Sequence, residues 1–180
     1  MAGATISTRT ANNDWPPARM IAEWNAALEA TELAIALRNS VWSYPLINAA
    51  HIFGVALLVG SVVPLDLRLL GLWGSMPIAP LWTVLTRTAG IGLVVTIFFG
   101  TLLFITRASE YVASNLFIAK MILVLLGSAN ALMLRMQTPA QESHIASTPV
   151  KPSARLRVSA GISLAAWLSA LTLGRLIGYF

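Results

Sequence analysis

Four stretches of this chain are too long and too apolar to belong to a water-soluble fold. Residues 44–65, 81–105, 114–136 and 158–180 each reach the ~20 residues of helix that a hydrocarbon core requires. Inside lipid every backbone N–H and C=O must be satisfied within its own segment, which selects helices over isolated strands. The expected fold is therefore all-α, an integral membrane four-helix bundle. Composition agrees: 57% of residues are hydrophobic and 11% charged, against about 25% charged in ordinary soluble domains. That balance excludes a conventional soluble enzyme.

The chain ahead of the first span divides in two. Residues 1–19 are mostly polar and read as a disordered tail, with no apolar run behind a basic start and hence no visible cleaved signal peptide. Residues 20–39 place Ile21, Trp24, Leu28 and Ile35 at helical spacing, with Glu23, Glu29 and Glu32 elsewhere around the wheel. This pattern predicts an N-terminal amphipathic helix, lying in the headgroup plane or packed over the bundle mouth. Residues 40–180 form the four-span domain, whose one long flexible connection is expected at 137–152, rich in Ser, Thr and Pro.

Small residues recur at helical spacing at Gly92, Thr96 and Gly100, and again at Ser163, Ala166, Ala170, Gly174 and Gly178. In lipid such stripes let helix backbones approach closely, so they are expected to face the bundle or a sister subunit. The expected partners are accordingly membrane lipids and either a second copy or a larger membrane complex. Nucleic acid is not among them: the net charge is +5, but the Lys and Arg residues are scattered singly rather than gathered into a basic stripe. With no cysteine, thiolate metal sites, iron–sulfur clusters and disulfides are excluded.

Charge also predicts orientation. The face carrying the first and third connections holds Arg68, Arg87, Arg135, Lys151, Arg155 and Arg157, whereas only Arg38 and Arg107 lie close to a membrane end on the terminal face. The positive-inside rule then places the protein in a bacterial inner membrane with both termini periplasmic.

An ionisable side chain within a span costs free energy unless partnered, and so marks a candidate site. His51 lies seven residues past Tyr44, ~10 Å along its helix; Lys120 and Arg175 lie ~9 and ~8 Å from the same face on the third and fourth helices. No carboxylate in any span approaches that level. Three potential cations without an internal counter-charge point to an anionic guest: the propionates of a haem, a lipid phosphate or a carboxylate substrate. His51 is a candidate haem or copper ligand, a proton relay, or a hydrogen-bonded structural histidine. Asn48 and Gly54, three residues to either side, are placed to orient its ring and make room for a flat group. Lys120 and Arg175 also have the option of snorkelling to headgroups unaided. The other histidine, His144, falls in the flexible connection, so a bis-histidine haem within one subunit is not expected.

A second polar set lies toward the opposite face, where Asp66 at the end of the first span, Arg87 early in the second and Asn130 late in the third suggest a structural clamp: Asp66 paired with Arg87 and capped by Asn130. No Ser-His-Asp set, Gly-rich phosphate loop or paired intramembrane carboxylates argue for hydrolysis, nucleotide use or acid–base catalysis.

The pattern Ser40-x-x-x-Tyr44-Pro45, His51-x-x-Gly54, Gly60-Ser61, Asp66-Leu67-Arg68-Leu69-Leu70-Gly71, Phe117-x-x-Lys120, Asn130 and Gly174-Arg175 resembles a widespread, functionally uncharacterised bacterial family of four-span membrane proteins. More distantly, residues 115–124 with the later Asn130 are similar to the Lys-containing helix of the copper-resistance D family. The Phe-x-x-Lys-x-x-Leu-Val shape, with a His in the first span, also resembles HemJ-type protoporphyrinogen oxidase. That second resemblance implies haem b ligated by His51 with Lys120 beside the porphyrin, but the oxidase's paired features are incomplete, so its catalytic activity is not implied. Copper would draw on Met121, Met133 or Met136, the last two near the other face. The sequence thus points to haem or a similar anionic cofactor serving electron transfer or porphyrin chemistry. Its alternatives are a non-enzymatic accessory subunit and a copper or small-anion transporter.

Overall fold

The computed structural model describes residues 16–137 and 152–179. Among them there are helices and no strand: α1 (Pro16–Glu29), α2 (Glu32–Asn39), α3 (Ser43–Leu70), α4 (Ile78–Thr106), α5 (Ala108–Ala113), α6 (Asn115–Gln137) and α7 (Ala154–Leu176). Four of them, α3, α4, α6 and α7, are long and apolar enough to cross a membrane. Only 6% of the apolar stretch of α6 and 28% of that of α7 are buried inside the protein. Their remaining apolar surface is turned outward, as in helices that face lipid or another membrane chain.

Several boundaries differ from the sequence expectation, each for a local reason. The amphipathic segment is two helices, because Thr31 intervenes: its hydroxyl donates to the Leu28 carbonyl at 2.7 Å and accepts from the Ala34 N–H at 3.3 Å. One helix is thereby closed and the next capped. α1 begins at Pro16, inside the segment read as a tail, a position where the missing proline N–H costs nothing; residues 1–15 lie outside the described residues. α3 continues to Leu70 and stops at Gly71, whose φ of 114° lets the Leu72 N–H reach back to the Leu67 carbonyl at 3.0 Å. The short α5 was not anticipated. Most of the expected flexible connection, residues 138–151, lies outside the described residues.

Packing is organised around α3, which lies against α4 on one side and α7 on the other, with α6 on the far side of α7. Around the bundle the order is thus α4, α3, α7, α6. The α3–α4 contact is close because glycines sit in it: a Cβ on Gly92 would lie 2.5 Å from the Leu58 nitrogen, and one on Gly54 would lie 2.8 Å from the Thr96 nitrogen. At the α6–α7 contact Gly127 makes way for the indole of Trp167. The small-residue stripes face inward over most of their length, with Gly92, Ser163, Ala166 and Ala170 buried, but Gly178 lies beyond the end of α7 and is exposed. At the loop face Leu65, Leu69, Ile78, Trp82 and Ala160 form the apolar core that ties α3, α4 and α7 together.

The N-terminal helices dock over the terminal face, against α3, α4 and α5. Ala34 and Ala108 are fully buried there, and Glu29 Oε1 accepts the Ser109 N–H at 2.7 Å. That hydrogen bond holds the Glu29 carboxyl below the usual carboxylate range. Since the folded state favours the ionised form, the contact contributes fully above the ordinary glutamate value and is lost as pH falls through the lowered one. Acidification is therefore expected to free α1 from α5 while the spans stay folded, and Glu29→Gln, which keeps an acceptor, to remove the pH dependence. Hydrogen exchange at the Ser109 amide measures this, and protection that ignores pH in the unmodified protein would refute it.

Candidate functional site

Four helices meet beneath the terminal face around His51 and Lys120. His51 projects from α3 about two turns below its start and reaches α4, where its Nδ1 lies 3.0 Å from the Thr96 carbonyl oxygen. A carbonyl oxygen only accepts, so Nδ1 carries the hydrogen, and in the neutral ring the lone pair is then on Nε2. The ring has room because residue 100 is glycine: a Cβ there would lie 3.0 Å from the imidazole Cε1. Lys120 comes from α6 and passes over Gly174 of α7, where a Cβ would lie 3.5 Å from Nζ. It lies within electrostatic reach of His51. No carboxylate among the described residues is paired with Lys120.

The structure brings together two of the three expected basic groups. Arg175 turns away: its Nη2 donates to the Tyr179 hydroxyl at 2.8 Å, and its guanidinium carbon stands 4.9 Å from the centre of that ring. The cause is azimuth. Gly174 faces Lys120, and the next residue of a helix points about 100° further round. Asn48 is exposed and does not hold the imidazole, a task performed by the Thr96 carbonyl. Gly54 makes room not for a flat guest but for the backbone and hydroxyl of Thr96, whose Oγ1 is buried without a hydrogen-bond partner.

An aromatic layer covers the pair on its water side. Phe104 of α4 and Phe117 of α6 stack with centroids 5.7 Å apart. Tyr111 of α5 lies against both, at 6.2 and 5.1 Å, with Tyr44 of α3 close by. Burial keeps the Tyr111 hydroxyl above the usual tyrosine range, and so protonated. Sequence reasoning missed this layer because its members come from four elements, one of them the unanticipated α5. The available signal was an aromatic residue at the terminal end of each segment.

The expected clamp of Asp66, Arg87 and Asn130 does not form. Asp66 is buried against the Ser163 hydroxyl of α7, and its Oδ2 has no partner. Arg87 is exposed. Asn130 is satisfied by one residue of α7, donating to the Ser159 carbonyl at 3.1 Å and accepting from the Ser159 hydroxyl at 2.8 Å. The buried guanidinium at this end is Arg68, which donates to the carbonyls of Gly74 and Met76 at 2.7–3.0 Å and so fastens the α3–α4 turn. Those carbonyls lie beside the last turn of α3, so the arginine on that turn satisfies them before one on α4 has any call to reach across.

Among the described residues no group of three or more His, Asp or Glu side chains is placed to hold a metal ion. Met121, Met133 and Met136 are all exposed, so the soft ligands that copper favours are not assembled around His51. Comparison with protein-family models, with curated proteins and with solved structures finds no match for the chain.

Proposed function

We propose that this chain is a bacterial inner-membrane protein that binds haem b, or a cofactor of similar anionic character, between His51 and Lys120 beneath a periplasmic terminal face. One observation carries the reading: an imidazole whose Nδ1–H is taken by a backbone carbonyl shares its layer of the bundle with a lysine that has no carboxylate partner. Metal-ligating histidines characteristically donate their second ring N–H in this way, which sets the tautomer and leaves Nε2 for the metal. A single imidazole is the ligand that a five-coordinate haem iron takes from its protein. Lys120 supplies the positive charge for a carboxylate at a depth where water does not screen it.

A haem would bring a one-electron couple, suited to electron transfer or porphyrin chemistry within a larger membrane assembly. This chain's own part is to bind and orient: His51 as ligand, Thr96 fixing its tautomer, Lys120 as counter-charge, and the aromatic layer excluding water. Arg175 has no share in it.

The test is the visible spectrum of protein purified with haem supplied. A Soret band is expected, lost in His51→Ala and retained in Arg175→Ala. Lys120→Met is expected to weaken haem binding roughly tenfold to a hundredfold, the loss of a charge-assisted contact. A colourless preparation, or a band indifferent to His51→Ala, would replace this reading with that of an accessory subunit lacking a prosthetic group.

A further inference from the structure

One neighbouring pair of helices in the bundle, α4 and α6, makes no close backbone contact. α3 packs against α4 and α7, and α7 against α6, but no Cα of α4 comes within 8 Å of one in α6. The candidate site lies beside this gap, because Lys120 projects from α6 while the His51 ring rests on Gly100 of α4. Near the terminal end the two helices are bridged by side chains: the Phe104 and Phe117 rings lie 16° from parallel, with Tyr111 against both.

The route from water is occupied. Tyr111 packs against the Phe104–Phe117 stack above the site. Beyond it α1 and α2 are fastened down by Glu29 on the Ser109 N–H at 2.7 Å and by Arg38, which donates to the Thr106 carbonyl at 3.5 Å. An anion arriving from the aqueous side would have to displace these contacts and shed its hydration inside an apolar layer.

We infer that the guest of the His51–Lys120 site arrives from the bilayer, passing sideways between α4 and α6 beneath the Phe104–Phe117 stack, which ties these helices at the terminal end and acts as the gate because it must give for them to part. This defines the class of guest: an amphiphile that partitions into membranes, with a flat or narrow apolar body and a carboxylate or other anionic head. The body moves between two lipid-facing helices without leaving hydrocarbon, and the head finds its counter-charge at Lys120. A stacked ring pair is a weak contact, so the gate opens without unfolding any helix. The inference rests on the anionic-guest reading above, and its test separates the two.

The chain has no cysteine, so Phe104→Cys with Phe117→Cys introduces one thiol pair that a short bis-thiol reagent can bridge. The protein is reconstituted in phosphatidylcholine–phosphatidylglycerol vesicles preloaded with haemin, and binding is followed at the Soret band. Bridging is expected to slow loading at least tenfold and, when applied after loading, to trap the bound haemin. Equal loading rates with and without the bridge would overturn the lateral route and leave the site reading standing. No haemin bound by the unmodified protein would remove the site reading and this inference with it. Phe117→Leu, which keeps an apolar side chain but loses the stack, is expected to load severalfold faster, and an unchanged rate counts against the gate. Independently of haemin, a lone Phe117→Cys thiol is expected to react with a lipid-soluble maleimide and resist a charged, water-soluble one. The reverse order would place the opening on the aqueous side and overturn the proposal.

Discussion

Replacing Gly92 with alanine is expected to destabilise the bundle by about 1–3 kcal/mol, the cost of forcing one extra carbon into a packed contact. The added Cβ would lie 2.5 Å from the Leu58 nitrogen, 2.9 Å from the Gly54 oxygen and 3.0 Å from the Leu57 carbonyl carbon. All three are backbone atoms, so no side chain can rotate aside and α3 and α4 must separate. Gly90, half a turn earlier on the same helix, has nothing within 4 Å of its would-be Cβ. Gly90→Ala should therefore be neutral, or stabilising by up to about 1 kcal/mol through helix propensity. Unfolding in mixed detergent micelles compares the pair directly, and coincident midpoints would mean that α3 and α4 do not approach this closely. The His51–Thr96 hydrogen bond crosses the same contact, so Gly92→Ala is expected to weaken haem binding as well, whereas Gly90→Ala is not.

The second large effect belongs to Arg68. Only 4% exposed, it satisfies the carbonyls of Gly74 and Met76 with three hydrogen bonds. Arg68→Met is expected to cost about 2 kcal/mol. Two carbonyls lose their donor at roughly 1–3 kcal/mol each, and relief from burying a charged guanidinium offsets part of that. Lysine should recover only part of the loss, since a single ammonium does not reproduce the planar fork that serves both carbonyls. Arg87→Met, on an exposed side chain, should stay within about 0.5 kcal/mol. Thermal unfolding and thermolysin cleavage at residues 71–77 report the difference. A larger effect at Arg87 than at Arg68 would restore the clamp that the sequence suggested.

The two arginines show where sequence reasoning succeeds and where it stops. Hydropathy over a long window is a property of the chain itself, so the four spans were legible, as was the depth of each ionisable group, which follows from a constant rise per residue. Depth placed His51 and Lys120 in one layer, and the two lie within electrostatic reach of each other. It placed Arg175 in that layer too, but a helix turns about 100° per residue, and the azimuth that aims Gly174 at Lys120 sends Arg175 outward to Tyr179. The clamp failed similarly. Asp66, Arg87 and Asn130 share a membrane level, yet Asn130 is satisfied by Ser159 and Asp66 faces Ser163, both on the fourth span. Thr31 is a more local miss, a capping residue embedded in a pattern that otherwise reads as one continuous helix.

Length, apolarity and the glycine spacing thus committed this chain to four membrane-crossing helices before any partner was considered, because burying a backbone in lipid leaves few alternatives. Which helices would touch was decided only by tertiary packing. Gly54 and Gly92 bring α3 and α4 together, Gly127 seats Trp167 between α6 and α7, and α4 and α6 are left apart. Side chains from separate helices become neighbours through rotation about each helix axis, and that rotation is set by the opposing surface rather than by the helix's own residues.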